Sequence, residues 1–380
     1  MDLQLSDEQG ALVETTRKFL DRAMPSSEVH AMAADQRSLP RDYWKQAADL
    51  GWTSMLVPEP LGGGSLSGRP VADLALVAEE IGAHAAPGPL GAVNAAVAVI
   101  ARSGTPDQQE ILRTVALGSS ILVWAHAEGS AAWDGRPESV TAERHGDRYV
   151  LNGTKVGVEC ALDADHFLLP ARTTAGPTQF LLPAATAGLS RQPQLSLDPT
   201  RRFGRLELEN VSLPAGAIVG ADGGAAEDLS YALLVYLALQ CADVVGATTR
   251  TFELAMDWVR DRYAFGRQIG SYQALKHRLA DHKLWLEVSL AAASGLTEAV
   301  ADEDPEAGRL ASAAKAMIAD TSLRIIQDCI QIFGGIGVTW DHDAHLFLRR
   351  ATTNFGLAGT ASQHRERLCA LVADGGEHLA

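Results

Sequence analysis

Two short stretches of this chain gather residues that bind phosphates and flat rings. The first is Arg262-Tyr-Ala-Phe265-Gly266-Arg-Gln-Ile269-Gly-Ser-Tyr-Gln273, and the second is Gln331-Ile-Phe-Gly334-Gly335-Ile-Gly337. A guanidinium presents a planar fork to two phosphate oxygens. A phenyl face can cover a purine, and a glycine pair lets backbone N–H groups approach a ligand with no Cβ in the way. The combination suits a dinucleotide. Taken singly, Arg262 could be a surface ion pair with Asp257 or Asp261, and Gly334-Gly335 a plain helix stop. Candidate proton carriers lie elsewhere. His126, Glu128 and Glu159 fall among predicted strands, where exposed carboxylates are the ordinary expectation. Asp341, His342, Asp343 and His345 cluster in sequence but lack the spacing that puts metal ligands on one helix face, so no metal is expected.

Two kinds of periodicity, in three successive segments, position these residues. Up to about Ser120 the apolar positions recur as in helices. Ser6 with Glu8 and Gln9 opens one over Leu12, Val13, Thr16, Phe19 and Leu20. Pro40 starts another through Trp44, and Gly51 ends it. Val71 to Ile81, Val93 to Ala101 and a short run from Pro106 complete the helical part. From Ser120 to about Gly220 the period becomes two. Tyr149-Val-Leu, Asn152-Gly153 and Thr154-Lys-Val-Gly-Val read as a hairpin with a type I′ turn, and Arg205-Leu-Glu-Leu-Glu-Asn-Val alternates strictly. Helical periodicity then returns to the end. The expectation is an α+β chain with a helical domain at 1–119, a small β-barrel or sheet domain at 120–224 and a helical bundle at 225–380.

At 380 residues, with 47% hydrophobic and 21% charged residues, the chain has the composition of a folded globular protein of more than one subdomain. A net charge of −15 and a pI near 5.1 disfavour nucleic acid and anionic membrane as partners. Cys160, Cys241, Cys329 and Cys369 lie far apart and read as isolated thiols of a reducing compartment. Met1-Asp-Leu-Gln-Leu-Ser-Asp-Glu has neither the basic nor the apolar stretch of a secretion signal, and Tyr231 to Ala242 is too short to span a bilayer. A cytoplasmic location is expected.

The two motifs, the three-part order, Gly51-Trp52 with Val57-Pro58-Glu59 and Leu61-Gly62-Gly63, Asn152-Gly153-Thr154-Lys155, and Ala280-Asp281 together resemble the acyl-CoA dehydrogenase family of flavoproteins. The resemblance covers almost the whole chain. It implies that Arg262, Phe265, Gln273, Gln331 and Gly335 meet the diphosphate and adenine of an FAD shared across a subunit interface. One departure is Ala264, where many relatives carry a hydroxyl residue.

The same resemblance implies that the catalytic positions are empty. The family's glutamate precedes Gly-Thr late in the chain, and here Ala358 precedes Gly359-Thr360. The alternative base position, counted back from Arg262 with Gly246 as a second anchor, falls on Tyr236, whose phenol ordinarily titrates near 10. The substrate-anchoring Asp and Arg correspond to Leu234 and Leu237. The loop that usually reads Thr-Glu-Pro-x-Ala-Gly-Ser is Trp124 to Ser130, the flavin-facing tryptophan is Gly157, and a threonine two further on is Glu159. The resemblance therefore points to a non-catalytic subunit of a heterotetramer. A homologous catalytic acyl-CoA dehydrogenase subunit would supply the base and most of the acyl-CoA contacts, and bulky or steroid-derived thioesters are the expected substrate class. A homo-oligomer with a relocated base at Glu128 or Glu159, a protein of this fold with other chemistry, and a stabilising partner without flavin contact remain open at this point.

Overall fold

The computed structural model describes residues 5–35, 38–129 and 133–375. Seven helices come first: α1 (Asp7–Ala23), α2 (Ser26–Asp35), α3 (Arg41–Asp49), α4 (Pro70–Ala83), α5 (Leu90–Ser103), α6 (Pro106–Gln109) and α7 (Ile111–Ala116). Ser6 caps α1 through a reciprocal box with Gln9, and Leu12, Thr16, Phe19 and Leu20 form its buried stripe. Eight strands follow: β1 (Leu122–Trp124), β2 (Thr141–His145), β3 (Arg148–Glu159), β4 (His166–Arg172), β5 (Pro177–Pro183), β6 (Leu189–Gln194), β7 (Phe203–Pro214) and β8 (Ile218–Val219). They form one sheet in the order β6-β7-β3-β2-β4-β5-β8, with β1 parallel to β4. Helices α8 (Ala226–Asp261), α9 (Gln273–Ala301), α10 (Ala307–Phe333), α11 (Ala344–Gly356) and α12 (Ala361–Gly375) close the chain, with a two-stranded hairpin of β9 (Tyr263–Ala264) and β10 (Arg267–Gln268) between α8 and α9.

The sheet departs from expectation at Asn152-Gly153. That dipeptide is no hairpin turn: β3 runs straight through it, with a register shift against β7 between Leu151 and Gly153. The reversal comes earlier, at Gly146-Asp147, where His145 pairs with Arg148. Gly153 has φ +136, and a Cβ there would stand 2.8 Å from the Val140 Cα. The glycine serves a bulge and a close approach.

Helix α8 is the axle of the molecule, packing on α4, α5, α9, α10 and α11. It crosses α4 at backbone contact. A Cβ at Gly82 would lie 1.8 Å from the Asp243 carbonyl oxygen, and one at Gly246 would lie 1.9 Å from that of Glu79. Helices α8 and α9 are both apolar and long enough to cross a bilayer by length and composition, yet 78% of the most apolar stretch of α8 is buried inside the protein. The corresponding figure for α9 is 39%, because Leu284, Trp285 and Val288 face outward.

Candidate functional site

The two dinucleotide motifs are brought together at one end of the C-terminal bundle. Arg262 ends α8, donating its N–H to the Trp258 carbonyl, and its guanidinium lies over the Trp258 ring at 5.7 Å. Trp258 meets Phe333 edge-on at 6.2 Å, and Phe333 immediately precedes Gly334-Gly335. Gln273 opens α9 and Gln331 lies in the last turn of α10. Arg262, Phe265, Gln273, Gln331 and Gly335 are all exposed. Phe265 is 97% exposed at the tip of the β9–β10 hairpin, where it and Gly266 both adopt positive φ as a tight primed turn requires.

The surface ion pair is not made. Asp257 bonds Arg260, and among the described residues no carboxylate lies within ion-pair distance of Arg262. Nothing stands within 4 Å of where a Cβ would be on Gly334 or Gly335, so no side chain or neighbour bars a ligand there, although the Gly334 N–H itself caps α10 on the Ile330 and Gln331 carbonyls. An exposed guanidinium without a carboxylate, an exposed phenyl and two bare glycines fit the diphosphate and adenine portion of FAD.

The positions that the resemblance assigns to the flavin ring do not fit the rest of it. Gly157 has φ +61 and no side chain to cover a flavin, and its N–H is already taken by the Gln194 side-chain carbonyl at 2.6 Å. Beside it, Arg201 donates to Glu159 at 2.6 Å and to the Asn354 side-chain oxygen at 2.5 Å. Asn354 reaches Asp243 at 2.9 Å, and Lys315 donates to Gln240 at 2.6 Å and to the Asn354 carbonyl. This buried network joins the sheet to α8, α10 and α11. The cavity left among Glu159, Arg201, Tyr236, Gln240 and Asp243 measures about 30 Å³, room for about one or two waters and none for a thioester.

Electrostatics reinforce the closure. Burial works against the Arg201 charge, but Glu159, with Tyr236 and Asp243 behind it, overrides this and raises the guanidinium well above its ordinary value. Burial drives the Tyr236 phenol up, and Glu159 adds to that, so Tyr236 accepts no proton near neutrality. Burial, with Arg201 adding, lowers Lys315 to about 8.

Ala358 is buried with φ +51, and its carbonyl bonds His364 Nε2 at 2.8 Å. Trp133 packs on the next residue: a Cβ on Gly359 would come within 2.7 Å of its ring. Burial lowers His364 to about 4 against that carbonyl bond, so it is neutral at pH 7. Leu237 is fully buried and Leu234 half-buried, both apolar at the positions that the resemblance assigns to substrate anchoring.

The expectation of exposed carboxylates in the sheet fails at both glutamates. The Glu128 side chain is 2% exposed and pairs with the fully buried Lys155 at 2.6 Å. Its other oxygen accepts N–H groups from Glu138, Ser139 and Val140, so it pins a loop. Burial pushes the Glu128 carboxyl up, but Lys155 and the Ser139 bonds hold it below its usual range. Glu159 is buried as well, and it pairs with Arg201. His126 stacks on Trp124 at 4.1 Å, and burial lowers it to about 3, which removes it as an acid near neutrality. Ser130, the last residue of that loop, lies outside the described residues. In the 341–345 segment, Asp343 bonds Ser26 and His30 while His342 and His345 pack against Phe333 and Trp340. Among the described residues no group of three or more His, Cys, Asp or Glu could hold a metal ion.

Sequence comparison matches both ends of the chain to one family. Residues 6–119 match the acyl-CoA dehydrogenase N-terminal domain, and residues 232–372 match the acyl-CoA dehydrogenase C-terminal domain. This chain belongs to the acyl-CoA dehydrogenase family, whose members are oxidoreductases with FAD as cofactor. Acyl-CoA dehydrogenase IpdE2 of Mycobacterium tuberculosis is 28% identical over 346 residues, 91% of each chain. Among solved structures, a variant of the Tcur3481–Tcur3483 steroid ACAD is 28% identical with a TM-score of 0.88, over 98% of this chain and 99% of that one. The ChsE4–ChsE5 complex of Mycobacterium tuberculosis is 25% identical with a TM-score of 0.88 over the same shares.

Proposed function

We propose that this chain is the non-catalytic subunit of a hetero-oligomeric acyl-CoA dehydrogenase. It completes a partner's FAD site with Arg262, Phe265, Gln273, Gln331 and Gly335 while holding no working site of its own. The observation that carries this reading is the buried Glu159–Arg201–Asn354 network with its cavity of about 30 Å³. A general base must reach the proton it removes, and neither Ala358 nor Tyr236 can take one. The relocated-base alternative loses its support because Glu128 and Glu159 are each locked to a buried cation.

The partner is a homologous chain that supplies the base, the contacts to the flavin ring and most of the acyl-CoA contacts. The outward apolar residues of the C-terminal bundle, among them Phe265, Leu284, Trp285, Val288, Val338 and Trp340, give it a surface to cover. The two-chain composition of both similar complexes favours a hetero-oligomer, and the steroid ACAD favours a bulky, steroid-derived thioester as substrate.

Ala358→Glu tests the claim from the opposite side. The new carboxylate would enter a buried, positive-φ position beneath Trp133. The isolated Ala358→Glu chain should therefore show no acyl-CoA desaturation with a dye acceptor. Robust turnover would mean that only the base is missing and would end the non-catalytic reading.

A further inference from the structure

The β9–β10 hairpin carries a second arginine that neither the motif nor the resemblance assigns. Arg267 is the cross-strand partner of Ala264, so the two side chains share one face of the hairpin, and alternation puts Arg262 on that face too. The Arg262 carbonyl accepts the Ile269 N–H at 2.8 Å, which extends the pairing beyond the two strand residues. Between the arginines stands Ala264, with no polar atom beyond its backbone.

Both guanidiniums are seated on rings. Arg267 lies 3.9 Å from the centroid of Tyr272, closer than Arg262 lies to Trp258. The Tyr272 hydroxyl donates to the Ala264 carbonyl at 3.1 Å and ties that ring to the opposite strand. Among the described residues neither arginine has a carboxylate within ion-pair distance. This is unusual here, since acidic residues outnumber basic ones by 47 to 32 and the neighbouring Arg250, Arg260 and Arg278 each pair with one. A ring face orients a guanidinium without cancelling its charge or occupying its N–H donors. Two such groups flanking a small residue match an anion with two adjacent charged centres.

We propose that the hairpin is a two-arginine diphosphate clamp in which Arg267, seated on Tyr272, contacts the second phosphate of the dinucleotide. It takes over the phosphate bond that a hydroxyl residue at the Ala264 position would have made. This rests on the reading of Arg262 as a cofactor contact and extends it to a residue outside the family motif.

The test uses the full chain with ADP as probe and adenosine as control, both by titration calorimetry. Arg267→Ala should weaken ADP binding about tenfold, the loss expected of one charge-assisted phosphate contact, and flatten its salt dependence. Adenosine binding should not change, which separates a phosphate contact from a folding defect. Tyr272→Phe keeps the ring and should bind ADP almost as the parent does, whereas Tyr272→Leu should follow Arg267→Ala. Unchanged ADP affinity in Arg267→Ala, with a clear loss in Arg262→Ala, would overturn the clamp and leave the half-site standing. No loss in either variant, or no ADP binding by the parent chain at millimolar concentration, would remove the half-site and the clamp with it.

Discussion

Arg262→Ala is expected to strip flavin from the assembly formed with the partner chain, lowering retained FAD per pair by about tenfold or more. The guanidinium is exposed, has no carboxylate within ion-pair distance among the described residues and lies over Trp258. Its removal therefore costs this chain little folding energy, and the loss falls on the ligand it faces. The circular dichroism and melting temperature of the isolated variant should match the parent. Absorbance of the co-purified pair checks the flavin content. Full flavin content in the variant pair would leave this chain as a stabilising neighbour with no part in the site.

A change at Arg201 should have the opposite profile. Arg201→Met leaves Glu159 buried with its cation gone and Asn354 without its donor. Breaking one side of a buried ion pair costs about 3–5 kcal/mol, which urea denaturation of the isolated chain would read as a large fall in midpoint. The double variant Glu159→Gln with Arg201→Met removes both charges and should recover much of that loss. Flavin retained by the pair should hardly change below the unfolding transition, because Arg201 belongs to this chain's own closed pocket. An Arg201→Met chain as stable as its parent would mean that the network does not hold the pocket shut. Loss of flavin with stability intact would place Arg201 in a working site.

The difference between these two positions also marks what the sequence makes legible. Arg262, Phe265 and Gln273 lie within one turn and hairpin, and the absence of a carboxylate at Ala358 is decided by its place before Gly359-Thr360. Such features are local, so spacing exposes them. The closure of the pocket is not local. Glu159 finds Arg201 across 42 residues and Arg201 finds Asn354 across 153, so no window of sequence contains the network. For the same reason Glu128 reads as a surface carboxylate until Lys155 is placed beside it. Helices were legible from their apolar period, and the capping box at Ser6 gave the first its start. The strongest turn signal in the sheet, Asn152-Gly153, misled because the freedom of a glycine to take positive φ serves a bulge as well as a primed turn. Only the pairing of His145 with Arg148 shows which glycine reverses the chain.

The central claim is that this chain lends half a flavin site and owns no complete one. Bound flavin per chain, from the visible absorbance of the protein purified alone and then with its partner, tests it most directly. The account predicts no retained flavin in the isolated chain and one flavin per pair after co-purification. One flavin per chain in the isolated protein would contradict it, because the pocket that Arg201 and Glu159 fill would then have to open for a ring.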